Sequence, residues 1–193
     1  MKKYENEISR FDVCVLVDMW APKTDHINFL NDTTFRNHFV LKHLQGRTPK
    51  ANQYISCSRI DPIDPIIWTL LSNQIVAFGN TSVEHLEEHK FLKSKQDNIC
   101  IIGQHTSACL LYGNLGILDF LQSGYENVYT DIDLNNPPIY TSASGLNKQH
   151  DFIFEDYHAG HKKSTKIQYE YTGSTIFKLK LLEDENENTD SRE

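Results

Sequence analysis

Two short runs without a single polar residue, VCVLV at 13–17 and ICII at 99–102, constrain this chain more than anything else in it. A strand that buries one face alternates apolar and polar residues. A strand apolar throughout is covered on both faces, as in a parallel sheet packed between helices. The intervening sequence supplies the helices. Asp32 caps a predicted helix on which Phe35, Phe39, Val40, His43 and Leu44 share one face, and Gly46 ends it. YISCS at 54–58 reads as a second strand, and the second proline of DPIDP opens a short helix through Trp68. QIVAF at 74–78 reads as a third strand or as an extended entry to a helix from Thr81 to about Lys93. After ICII, a helix from Thr106 to about Ser123 is apolar nearly all round, Gly124 closes it, and residues 128–132 give the next strand. Strands alternating with helices predict an α/β fold that binds ligands at the carboxyl ends of its strands.

A length of 193 residues fits one domain, assigned to residues 1–182. Residues 183–193 hold six acids against the single base Arg192, so five of the seven net negative charges lie there. Such a run reads as a solvated, disordered tail. The rest of the chain has no basic excess and so lacks the footprint of a nucleic-acid binder. No apolar run approaches membrane-spanning length, and MKKYENEISRF is not a signal peptide. Cys14, Cys57, Cys100 and Cys109 form no CxxC pair, which favours reduced thiols and a cytoplasmic location.

Two reactive side chains fall where such a fold builds its site. Asp18 directly follows the first buried strand, and Cys109 opens the helix after ICII. Free N–H groups at a helix start stabilise a thiolate and can hold the oxyanion that forms when it attacks a carbonyl. A carboxylate across the crevice can take the thiol proton. The opposing reading of Cys109 is an inert core thiol.

The stretch ICIIGQHTSACLLYGNLGILDFLQSGY at 99–125 resembles the nucleophile segment of the isochorismatase-like cysteine hydrolases. Its Gly103, Thr106, Cys109, Gly124 and Tyr125 fall on that family's pattern, VCVLVDMW resembles its first strand with the catalytic Asp at Asp18, and AFGNTSVEHL at 77–86 resembles its Ala-Phe helix opening. The resemblance implies a Rossmann-like three-layer α/β/α fold with a mostly parallel six-stranded sheet. It also implies cleavage of an amide, carbamoyl or ureido C–N bond of a small metabolite through a Cys-bound acyl intermediate. No cofactor or metal is expected, the partners being a small-molecule substrate and other copies of the chain. The nucleophile loop, with Gln104, His105 and Ala108, would form the oxyanion hole, and Trp20 and Phe78 the pocket wall.

The departures are equally specific. The family's catalytic Lys would fall at Ser72, and no Lys occurs between Lys50 and Lys90, so Arg59 is the candidate substitute cation. Arg hydrogen-bonds well but does not shuttle protons. Nicotinamidases carry an Asp-x-His metal signature, but Asp61 and Asp64 are each followed by Pro, so that activity is disfavoured. The alternative is a catalytically impaired family member acting as a binding or assembly protein. A redox role for Cys109, with Cys100 approaching in space, is a third reading.

Other polar groups have bland explanations. His85 and His89 stand four apart on a predicted helix, a metal-compatible spacing, yet beside three glutamates they read as a solvated face. His158 and His161, with Asp156, read as a polar loop, Tyr112 as core, and Asp131 and Asp133 as a strand end. TKIQYEYTGSTIFKLKLL alternates like an antiparallel hairpin turning at Gly173 and lies outside the resemblance.

Overall fold

In chain order the strands are β1 (Phe11–Val17), β2 (Ala51–Cys57), β3 (Ile75–Phe78), β4 (Ile99–Gln104), β5 (Val128–Asp131), β6 (Asn135–Asn136), β7 (His150–Asp156), β8 (Lys163–Tyr171) and β9 (Ile176–Leu182). The helices are α1 (Asp32–Leu44), α2 (Pro65–Leu70), α3 (Val83–Glu88) and α4 (Ile117–Gln122). These come from a computed structural model that describes residues 10–19, 32–58, 63–71, 74–79, 81–104, 109–136, 150–156, 163–172 and 174–182. No helix among them is long and apolar enough to cross a membrane. The tail at 183–193 lies outside the described residues.

The fold is α/β, as the two apolar runs predict. The sheet order is β3-β2-β1-β4-β5-β9-β8-β7, with β6 beside the end of β4. From β3 to β5 all pairs are parallel, whereas β9, β8 and β7 join antiparallel to their neighbours. The sheet is therefore wider than the six strands expected. The alternating segment forms the hairpin β8–β9 and docks on β5. The polar stretch before it supplies β7, which its sequence did not announce.

β1 and β4 are central, and successive residues of β1 point to opposite faces. Val13, Val15 and Val17 pack with Leu86 of α3 and Ile117 and Phe120 of α4. Cys14 and Leu16 pack with Phe35 and Phe39 of α1 and Ile67 of α2. Helices thus cover both faces, which is why these strands carry no polar alternation.

Three details depart from the sequence reading. On α1, Leu44 is 71% exposed while Lys42 is 4% exposed, so the inward face is Phe35, Phe39 and Lys42. The Lys42 ammonium lies 3.4 Å from Asp131 and 3.3 Å from Asp133. The second is the long helix expected after β4. Residues 109–112 form one helical turn, the chain breaks at 113–116, and α4 begins at Ile117. Gly113 and Gly116 press on the Cys109 carbonyl, where a Cβ at either would overlap backbone oxygen, and Leu115 takes φ 61°. The third is α3, which stops at Glu88 well short of Lys93, and Lys90 turns the chain at φ 61°.

Tyr54, Tyr125 and Tyr169 all hold their phenol protons more tightly than usual, chiefly because burial disfavours phenolate; Tyr54 is pushed up to about 12. In the unfolded chain these phenols ionise near ~10, so above that pH the native state binds more protons than the unfolded state. Stability is therefore expected to be flat up to about pH 10 and then to fall as pH rises towards the folded-state values. Denaturant midpoints measured from pH 8 to 11.5 check this, and a midpoint that rises above pH 10 contradicts it.

Candidate active site

The carboxyl ends of four parallel strands finish in line. Phe78 of β3 pairs with Cys57 of β2, Cys57 with Val17 of β1, and Val17 with Gly103 of β4. The next residue on each strand, Gly79, Ser58, Asp18 and Gln104, therefore forms a row along one edge. Asp18 in this row, and Gly103 just before Gln104, are held in conformations that ordinary strand residues avoid. Asp18 has φ 51°, turning the chain sharply out of β1, and donates its N–H to the Cys57 carbonyl at 2.9 Å. Its carboxylate-bearing residue is only 4% exposed. Asp is among the few non-glycine residues that tolerate this region, at a cost of about 1–3 kcal/mol, and such strain collects at functional sites.

Gly103 has φ 143° and lies so close to β1 that a Cβ would overlap the Val17 carbonyl oxygen. That approach lets Gln104, which is fully buried, donate from Nε2 to the Asp18 carbonyl oxygen at 2.9 Å. The Gln104 Oε1 is buried without a hydrogen-bond partner among the described residues. β1 and β4 are thus tied together where both leave the sheet.

Cys109 is helical, within the described residues 109–112, and half-buried, whereas Cys14, Cys57 and Cys100 are buried. None of the four is joined in a disulfide. Cys100 packs on the α1 face and Cys109 against the α3 and α4 face, so the sheet separates them. This removes the redox pairing considered from sequence. Burial pushes the Cys100 thiol well up, and its neighbour Cys14 adds to the shift, so it is poorly suited to ionise.

Phe78 stands at the edge as expected, its ring edge-on to Phe91 at 5.2 Å and to His85 at 5.9 Å. With Gly79, Thr81, Ser82, His85 and Asn114 it lines a shallow cleft of about 390 Å³. Cys57 joins this cleft to the site, donating its S–H to the Asn114 carbonyl at 3.3 Å and the Gly79 carbonyl at 3.7 Å. Cys57 and Asn114 escaped the sequence reading. The signal for Cys57 is topological, since it closes β2 at the carboxyl edge, and Asn114 lies in the break at 113–116 that faces it.

His105, Ala108, Arg59, Trp20, Ser72, His158 and His161 lie outside the described residues, as does the side chain of Asp156. Asp64 is buried and structural: its carboxylate accepts from the Ile66 N–H at 2.7 Å, capping α2, and lies 3.7 Å from Arg36. Asp131 is buried and bound to Lys42, while Asp133 is exposed. Tyr112 packs against the core, as predicted. A wider cleft of about 560 Å³ includes Arg47, Lys50, Asp131 and Thr175, but it holds no thiol.

No family model, curated protein or solved structure matches the chain.

Proposed function

We propose that this chain is an isochorismatase-like cysteine hydrolase, with that family's three-layer fold, which cleaves an amide, carbamoyl or ureido C–N bond of a small metabolite. The observation that carries the reading is the juxtaposition of β1 and β4. They are parallel neighbours whose ends, at Asp18 and Gln104, are joined by a buried side-chain hydrogen bond. Cys109 follows β4 within five residues and is the one cysteine not buried. The Gln104 Oε1, which has no partner among the described residues, suits a substrate with an N–H to donate.

In this reading Asp18 accepts the Cys109 thiol proton as the sulfur attacks the substrate carbonyl. N–H groups of the loop holding Gln104, His105 and Ala108 receive the oxyanion. The amine leaves with the proton from Asp18, and water hydrolyses the thioester to release the acid and restore the thiol. Asp18 beside a thiolate calls for a cation. Ser72 stands where the family's Lys would fall, and this reading assigns the role to Arg59, while Lys42 pairs with Asp131 and Asp133 and Arg36 with Asp64. Trp20 and Phe78 wall the substrate. Self-association and a reducing, cytoplasmic setting belong to the same proposal; the exposed Leu41 and Leu44 of α1 and Ile66 and Trp68 of α2 supply apolar surface for contacts between copies.

Turnover of a panel of small amides, carbamoyl and ureido compounds tests it. Cys109→Ser and Asp18→Asn are each expected to lower the rate at least ~10²–10⁴-fold while the thermal midpoint stays within a few degrees. Undiminished turnover in either variant overturns the mechanism. The charge assignment has its own check. Cys109 should alkylate fast at pH 7 and slow sharply in Arg59→Ala. A thiol that instead titrates near the ordinary ~8.5 in the unaltered protein selects the binding or assembly alternative.

A further inference from the structure

We propose that His85, Glu88 and His89 bind one divalent zinc ion, through side chains to which the Cys109 chemistry assigns no role. The three side chains come from consecutive turns at the end of α3, where residues three and four apart share a face. One ligand atom from each lies within 4.8 Å of the other two. Zinc holds imidazole nitrogen and carboxylate oxygen at about 2.0–2.2 Å, so two ligands of a tetrahedral ion stand about 3.4 Å apart. Closing from 4.8 Å takes rotation of the side chains, of which Glu88 and His89 are exposed and His85 is half-buried.

The tautomer of His89 is already set for coordination. Its Nδ1 lies 3.2 Å from the His85 carbonyl oxygen. A carbonyl only accepts, so Nδ1 carries the proton and Nε2 presents a lone pair. An imidazole fixed through its other nitrogen by a backbone carbonyl is the usual outer support of a metal-bound histidine. The His85 and His89 rings stack face to face with centroids 4.2 Å apart and 25° between planes, so rotation of a ring is what brings their in-plane lone pairs to a common point. Phe78 buttresses His85 edge-on from the neighbouring strand.

The acids on this helix divide their work. Glu87 is engaged by the Tyr125 hydroxyl at 2.8 Å and by Lys95. Glu88 has no such partner among the described residues and stands next to His89 on the side the two imidazoles share. Two imidazoles and one carboxylate are a borderline donor set that suits zinc, with water completing a tetrahedron. His85 also faces the cleft beside Phe78 and Asn114, so the ion would sit at the rim of the crevice.

Isothermal titration calorimetry with zinc chloride on the full chain tests this. We expect one equivalent to bind with a dissociation constant on the order of micromolar. His85→Gln and His89→Gln should each weaken it at least about tenfold, while Glu84→Gln, one turn earlier on the same helix, should leave it unchanged. His89 is exposed, so His89→Gln keeps the test valid if His85→Gln disturbs packing against Phe78. Circular dichroism of each variant establishes that it is folded. Absence of saturable zinc uptake overturns the proposal, and so does uptake that survives the double substitution of both histidines. Neither outcome bears on hydrolysis, which the Cys109 and Asp18 variants report separately.

Discussion

Gly103→Ala is expected to lower stability by about 4 kcal/mol or more, enough to unfold much of a protein whose whole margin is ~5–15 kcal/mol. Two independent costs add. The added methyl would overlap the Val17 carbonyl oxygen and crowd that residue's N and C atoms, all of them backbone. No rotamer change relieves such a clash, so β1 and β4 must separate where they pair. The backbone also sits at φ 143°, a region that residues with a Cβ rarely adopt. Gly124→Ala serves as a comparison. It too has positive φ, but nothing lies within 4 Å of its Cβ position, so only the conformational cost remains. Urea unfolding of both variants checks this. A loss below about 1 kcal/mol for Gly103→Ala would show that the close approach of β1 and β4 is not required.

Lys42→Ala is expected to destabilise by ~3–5 kcal/mol, because it strands a carboxylate that is 1% exposed. The effect belongs to the unpaired Asp131 more than to the ion pair itself. Lys42→Met with Asp131→Asn removes both charges and fills the same volume. It should recover most of the loss, leaving the double variant within about 1–2 kcal/mol of the unaltered protein. An asparagine at 131 can still accept the Asp133 N–H, which now donates to Asp131 Oδ1 at 3.1 Å. Because the pair is buried, the Lys42→Ala loss should barely change between 0.05 and 0.5 M salt. A double variant no better than Lys42→Ala would contradict this account.

These two sites mark where the sequence was readable and where it was not. The parallel core was legible because an uninterrupted apolar run has one economical placement, between two helical layers, and VCVLV and ICII both take it. The hairpin β8–β9 was legible because period-two alternation has no helical equivalent. Lys42 was not legible, since a lysine among Leu41, His43 and Leu44 looks like surface. Only the arrival of Asp131 from a strand 89 positions away makes its burial tolerable. The break after Cys109 was hidden for a related reason. LLYGNLGILDFL keeps helical apolar spacing, while its glycines answer to the close packing at the Cys109 carbonyl. At the candidate site, adjacency of Asp18 and Gln104 followed from their places at the ends of β1 and β4. The Cys57 link to Asn114 required knowing that β2 ends level with β1.

The antiparallel seam between β5 and β9 sets the order in which this molecule can be completed during synthesis. β9 lies between β5 and β8, in the interior of the sheet order, although it is made after all the other described strands. When the ribosome has finished β5, the parallel block from β3 to β5 has all its own strands, yet one side of β5 still presents unsatisfied N–H and C=O groups. About 50 further residues separate the end of β5 from the end of β9. At ~5–20 residues per second that edge stays open for roughly 3–10 seconds. A nascent chain caught in that interval offers its neighbours on the same message the template that β9 later occupies, so pairing between copies competes with completion of the fold.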